Sequence, residues 1–198
     1  AHARHGGAPH AMASGAHSPH DGSPHAMASG AHSPHGGSPH AMASGAHAPH
    51  AMTAAAPAGD AEGALRRVAD VHGEAGPWAV AGYRMGRYAL SKLGLGAQSF
   101  DLDVTHKSPA SPQYACIADG AAAATGASVG KLNLHHVEGS LAELATTYRR
   151  RSTGQTITLR PSPAFVARFE GRPRPALAEA GREAMGLRDD EIFLEVPK

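Results

Sequence analysis

The chain has 198 residues, a formal charge of +1 with neutral histidine, one cysteine and 15 histidines. This balance gives no argument for nucleic-acid binding, and Arg149, Arg150 and Arg151 read as a solvated turn. A single Cys116 excludes an internal disulfide and a Cys-rich zinc finger, and no apolar run approaches the ~20 residues that a membrane span needs. The start at Ala1 would suit a mature N terminus left by a peptidase, so a periplasmic location is expected, with the cytoplasm as the alternative.

Composition divides the chain into a tail at 1–58 and a domain at 59–198. The tail holds a 15-residue repeat with copies beginning at Ala8, Ser23 and Ser38, as in "SPHAMASGAHSPHGG". It has no aromatic residue and no Leu, Ile or Val, so it cannot offset the entropy of ordering, and a disordered coil is expected. Each copy places a His-x-x-His pair after a methionine: His17 and His20, His32 and His35, His47 and His50. Neutral imidazole is a ligand for Zn, Ni and Cu, and the thioethers of Met12, Met27 and Met42 favour Cu(I). Zinc is the first expectation, bound at several modest, pH-dependent sites. A spacer expanded by repeat slippage and a pH-switched adhesive tail are the alternatives.

In the domain, Asp60 can cap a helix over 61–71 that His72-Gly73 ends. Pro77 suits the first turn of a second helix over 77–93, stopped by Gly94 and Gly96. "SFDLDVTH" alternates and predicts a strand over 100–105, followed by the loop "KSPASPQ". "YACIADGAAAATG" predicts a tightly packed helix closed by Gly126, and "KLNLHHVEG" a strand. "LAELATTYRRRSTGQTITLRP" could begin as a helix, but "STGQ" favours a hairpin. "PALAEAGREAMGL" predicts an amphipathic helix and "EIFLEV" a closing strand. The fold class is therefore α+β, an antiparallel sheet with packed helices.

Two stretches together resemble the E-subunit family of formylmethanofuran dehydrogenase. "HGEAGPWAVAGYRMGRYALSKLGL" is similar to that family's His-Gly-His-x-Cys-Pro-Gly turn and following Gly-Tyr-Arg helix. "CIADGAAAATGASVGKLNL" is similar to its Cys-Gly-x-Asp-Ala, Thr-Gly and Gly-Lys-x-Asn-Leu run. The resemblance implies an α+β domain, often a homodimer, with a metal-binding cleft lined by the histidines and cysteines of these motifs. It also implies the company of molybdenum or tungsten enzymes of one-carbon metabolism.

The transfer is partial. His72, Pro77, Cys116 and Asp119 match, but Glu74 stands where the second His would be and Gly76 where the Cys would be. His72, Cys116 and Glu74 are then the expected metal ligands, with His106 as the favoured replacement imidazole and His135 or His136 as substitutes. Cys116, His72 and Asp119 are also the catalytic candidates, and Arg84 and Lys131 the cofactor or anion contacts. Each has a plainer reading: Cys116 as a small core residue, His72 as a helix end, Arg84 as a structural partner.

Three functions compete. The first is a metal-binding accessory protein whose tail buffers or delivers transition metal to a cleft in the domain. The second is a Cys/His-dependent enzyme of one-carbon metabolism. The third is a module with a vestigial site that dimerises and docks on a larger oxidoreductase; a metal-acceptor protein is the other expected partner.

Overall fold

A computed structural model describes residues 58–197. The expectations for the tail, including His17, His20, His32, His35, His47 and His50 as ligands, lie outside the described residues.

Helix α1 spans Ala58–His72, so Asp60 sits inside its first turn and pairs with Arg67 at 3.2 Å. Helix α2 spans Pro77–Leu93 and begins with proline after an extended Gly76. It ends in a left-handed Gly94 whose N–H returns to the carbonyls of Leu90 and Ser91, the stop that the sequence signals. Strand β1 is Leu102–Ser108, helix α3 Pro112–Thr125 and strand β2 Leu134–Glu138. Strands β3, Ala145–Arg150, and β4, Thr156–Pro161, form the expected hairpin, with Gly154 left-handed in its turn. Helix α4 covers Pro163–Phe169, α5 Leu177–Met185 and α6 Asp189–Ile192, and β5 closes the chain at Phe193–Glu195.

The fold is α+β, and the five strands form one sheet in the order β2-β1-β3-β4-β5. Three of its pairings are antiparallel, but β1 pairs with β2 in parallel, Val104 opposite Leu134 and Ser108 opposite Glu138. The sheet is mixed, which corrects the antiparallel expectation at this pairing. The cause is α3: a whole helix separates β1 from β2, and a crossover of that kind returns the chain in the same direction.

Two further boundaries move. Strand β1 runs on through Lys107 and Ser108 and does not include Phe100, which is 68% exposed. The segment 163–169, with no sequence expectation attached, is helical: the Ser162 hydroxyl accepts from Phe165 N, and Pro163 follows at the first position.

Helices α2 and α3 pack at backbone distance. A Cβ on Gly82 would lie 2.0 Å from the Ile117 carbonyl oxygen, and one on Gly120 would lie 1.8 Å from that of Ala79. The small residues of α3 permit this approach, and α2 buries Trp78, Val80, Tyr83 and Met85 behind it. Helix α5 presses equally closely on the turn between α1 and α2, where a Cβ on Gly181 would meet the Ala75 carbonyl oxygen at 1.7 Å. The end of α1, the start of α2 and the first turns of α3 are thus fixed against one another.

Candidate functional site

His72 is the last residue of α1, and Gly73, left-handed with φ +90°, turns the chain away behind it. The imidazole meets α3: Nδ1 lies 2.8 Å from Asp119 Oδ2. A carboxylate accepts only, so Nδ1 carries the hydrogen and Nε2 of a neutral ring keeps its lone pair. No hydrogen-bond partner for Nε2 is found among the described residues. A carboxylate that orients one ring nitrogen while the other faces a ligand is the arrangement found behind metal-bound and proton-transferring histidines.

Cys116 stands one helical turn before Asp119. Its thiol donates to the Gln113 carbonyl oxygen at 3.1 Å. Burial, reinforced by the Asp119 carboxylate, pushes its pKa up to about 12. The shift disfavours the thiolate, the form in which cysteine acts as a nucleophile.

Two hollows share this wall. One, of about 360 Å³, is lined by His72, Glu74, Cys116 and Trp78 among others, with Phe169, Arg172 and Arg174. The other, of about 350 Å³, is lined by His72, Cys116, Asp119 and His136 over the apolar side chains of Ala115, Ala118, Val129 and Leu134. His72 and Cys116 thus line both hollows, with Glu74 beside them in the first and Asp119 in the second. A larger groove of about 510 Å³ beside Leu141 and Val166 contains none of these groups.

Other expected residues lie elsewhere. His106 is fully buried on β1 and both its ring nitrogens are occupied. Nε2 must donate to the Tyr114 carbonyl oxygen at 3.1 Å, and Nδ1 accepts from the Thr146 hydroxyl at 2.9 Å. Desolvation, opposed by the Tyr114 bond and aided by the nearby His136, lowers its pKa to about 4. It is a satisfied core histidine, and neither hollow is lined by it. The alternation of β1 explains this: Leu102, Val104, His106 and Ser108 all face inward.

Arg84 is 7% exposed and holds the C-terminal segment. Its Nη1 donates to the carbonyls of Met185 and Leu187 at 2.8 and 3.0 Å, and Nη2 pairs with Asp189 at 2.6 Å. Lys131 spends its ammonium on Gln98 Oε1 and the Gly126 carbonyl oxygen at 2.5 and 2.8 Å. Neither Arg84 nor Lys131, the expected anion contacts, lines the two hollows. His136 lines the second hollow and bonds Ser108 Oγ at 2.9 Å, while His135 points to Asp103 at 3.2 Å, as alternate positions of a strand require.

Sequence reasoning passes over Arg172 and Arg174. Their signal is local, two arginines separated by proline in "GRPRP", but the hollow they line is assembled from α1, α2, α3, the end of α4 and the segment after it.

The donor set can be set against a metal centre directly. Among the described residues no three of His, Cys, Asp and Glu converge in a way that could hold one ion. With Glu74 and Gly76 in place of a histidine and a cysteine, a closed four-ligand cage does not fit these residues.

Comparison with known families matches residues 71–193 to the family described as FmdE, Molybdenum formylmethanofuran dehydrogenase operon. No curated protein matches the chain. The match begins one residue before His72, ends at Phe193 and takes in the changed motif, the Cys116–Asp119 motif and all five strands' starting residues. On an alignment that covers most of the chain and nearly all of its described fold, this protein belongs to the FmdE family.

Proposed function

We propose that this FmdE-family protein is a metal-binding accessory protein, in which the His-rich tail buffers or delivers transition metal and the domain takes up an ion or a small ligand at His72. The observation that supports this most is the His72–Asp119 pair, with an oriented imidazole on the same wall as the single cysteine. The incomplete donor set suits exchange better than permanent retention: with few protein ligands, an ion leaves as readily as it arrives. Zinc is the first candidate, with nickel and copper next, because imidazole serves all three.

The Cys-dependent enzyme has less support, since the Cys116 thiol is partly buried and its pKa pushed up to about 12. Docking on a larger oxidoreductase, or pairing with a second copy, draws support from Val129 and Leu132. These apolar side chains, beside the edge strand β2, are 74% and 75% exposed.

Cobalt(II) tests the proposal on the full chain, because only Cys116 can supply a thiolate. Titration at mildly alkaline pH is expected to produce a near-ultraviolet thiolate-to-cobalt band, as a coordinated thiol loses its proton. The band should vanish in Cys116→Ser and weaken in His72→Ala. Cobalt uptake with only an imidazole-type spectrum, unchanged by either substitution, would confine metal binding to the tail.

A further inference from the structure

The hollow beside His72 contains chemistry that a metal does not use. Arg172 and Arg174 line it, and neither guanidinium has a carboxylate partner among the described residues. Their neighbour Arg168, by contrast, pairs with Glu183 at 2.5 Å. Arg172 is nevertheless held in place. Its Nε donates to the Arg168 carbonyl oxygen at 3.2 Å, and its Cζ lies 5.9 Å from the Phe169 ring centre. The terminal nitrogens remain available. Arg174 sits between Pro173 and Pro175, whose fixed φ stiffens the backbone that presents it.

The apolar part of the hollow is equally fixed. Trp78 is 3% exposed, and its Nε1 donates to the Phe169 carbonyl oxygen at 3.3 Å. Its ring is wedged edge-on against Tyr114 and Phe165, with centres 5.2 and 5.3 Å away. Glu74 is the one carboxylate in the lining, set against two guanidiniums. At about 360 Å³ the space lies within the range of small-molecule sites. An apolar lining of Pro77, Pro112 and Leu177, backed by the fixed Trp78 ring, with unpaired guanidiniums at its rim is a preorganised site for an anion on an apolar body.

We propose that this hollow binds a small organic anion, a carboxylate or phosphate on a flat apolar body, with the anionic group at Arg172 and Arg174 and the body on the apolar lining of Pro77, Pro112 and Leu177, beside Trp78. The inference goes beyond the metal reading and does not require an ion at His72.

Trp78 is the only tryptophan in the chain, so its fluorescence reports this hollow alone. The full chain, kept in excess EDTA, would be titrated with benzoate, phenyl phosphate and the neutral benzyl alcohol. A saturable change is expected with at least one anion and not with the alcohol, and the comparison of the two anions identifies the favoured head group. Arg172→Ala and Arg174→Ala, both at exposed positions, should each weaken binding roughly tenfold, and the exposed Arg87→Ala should leave it unchanged. The proposal is overturned if neither anion moves the signal at millimolar concentration, if benzyl alcohol binds as well, or if both arginine variants bind as the parent does. Because metal is chelated throughout, the result stands apart from the cobalt titration.

Discussion

Gly120→Ala is expected to destabilise the domain by about 3 kcal/mol or more, the upper end for overpacking a closed interior. The added methyl group would lie 1.8 Å from the Ala79 carbonyl oxygen and 2.8 Å from the Tyr83 nitrogen. Both are backbone atoms of α2, so no side chain can rotate out of the way. The helices must separate or slide, and the matching contact of Gly82 with Ile117 resists that movement. Urea unfolding measures the loss, and Gly96→Ala, with open space around its Cβ, is the control expected to cost little. A cost below about 1 kcal/mol for Gly120→Ala would mean that the α2–α3 contact yields easily. The site depends on that contact, since Cys116 and Asp119 ride on α3 while Trp78 rides on α2.

His106 gives the second large effect, a pH dependence of stability. Its folded-state pKa is about 4 against an ordinary 6.5, so the unfolded chain takes up the proton first as pH falls. The stabilisation is fully present above about pH 6.5 and is lost as pH falls toward 4. A displacement of that size amounts to roughly 3 kcal/mol across the window. Desolvation dominates because the ring is fully buried, and protonation would also place a hydrogen on Nδ1, which now accepts from Thr146. Urea midpoints between pH 7 and 4 should fall more steeply for the parent chain than for His106→Gln, whose amide does not titrate. Equal slopes would show that His106 is not the group responsible.

The sequence is most legible where the structural signal is local. Pro77 and Gly94 mark both ends of α2, because the one fits a first helical turn and the other accepts a left-handed backbone. The β3–β4 hairpin rests on a local signal as well, the turn "STGQ" with Gly154, which prevails over the helical start that "LAELATTYRRR" also allows. Ser162-Pro163 is also a local signal, a cap followed by a first-turn proline, but it opens a helix of only 7 residues. The parallel pairing of β1 with β2 is non-local: it depends on where α3 packs, which no window of sequence contains.

The site divides in the same way. His72, Glu74, Cys116 and Asp119 can be placed together because two motifs, compared with a family, put them at matching positions. His106 is misassigned when the strand is ended at Thr105; extending its alternation through His106 and Ser108 turns the ring inward. Arg84 follows the same rule of partners: its fate is set by Asp189 and the Met185 and Leu187 carbonyls, more than 100 positions away. Arg172 and Arg174 gain meaning only when the fold sets them beside Trp78.

Metal uptake by the changed motif is what the proposed function requires of the domain. Equilibrium dialysis against zinc tests it most directly, on the full chain and on a chain lacking residues 1–57, each with and without His72→Ala and purified without nickel resin. The shorter chain is expected to bind about one zinc ion, with His72→Ala abolishing that binding, while the full chain binds several more through its repeats. If the shorter chain binds no zinc, or binds it equally well without His72, the cleft is not a metal site and the claim is wrong.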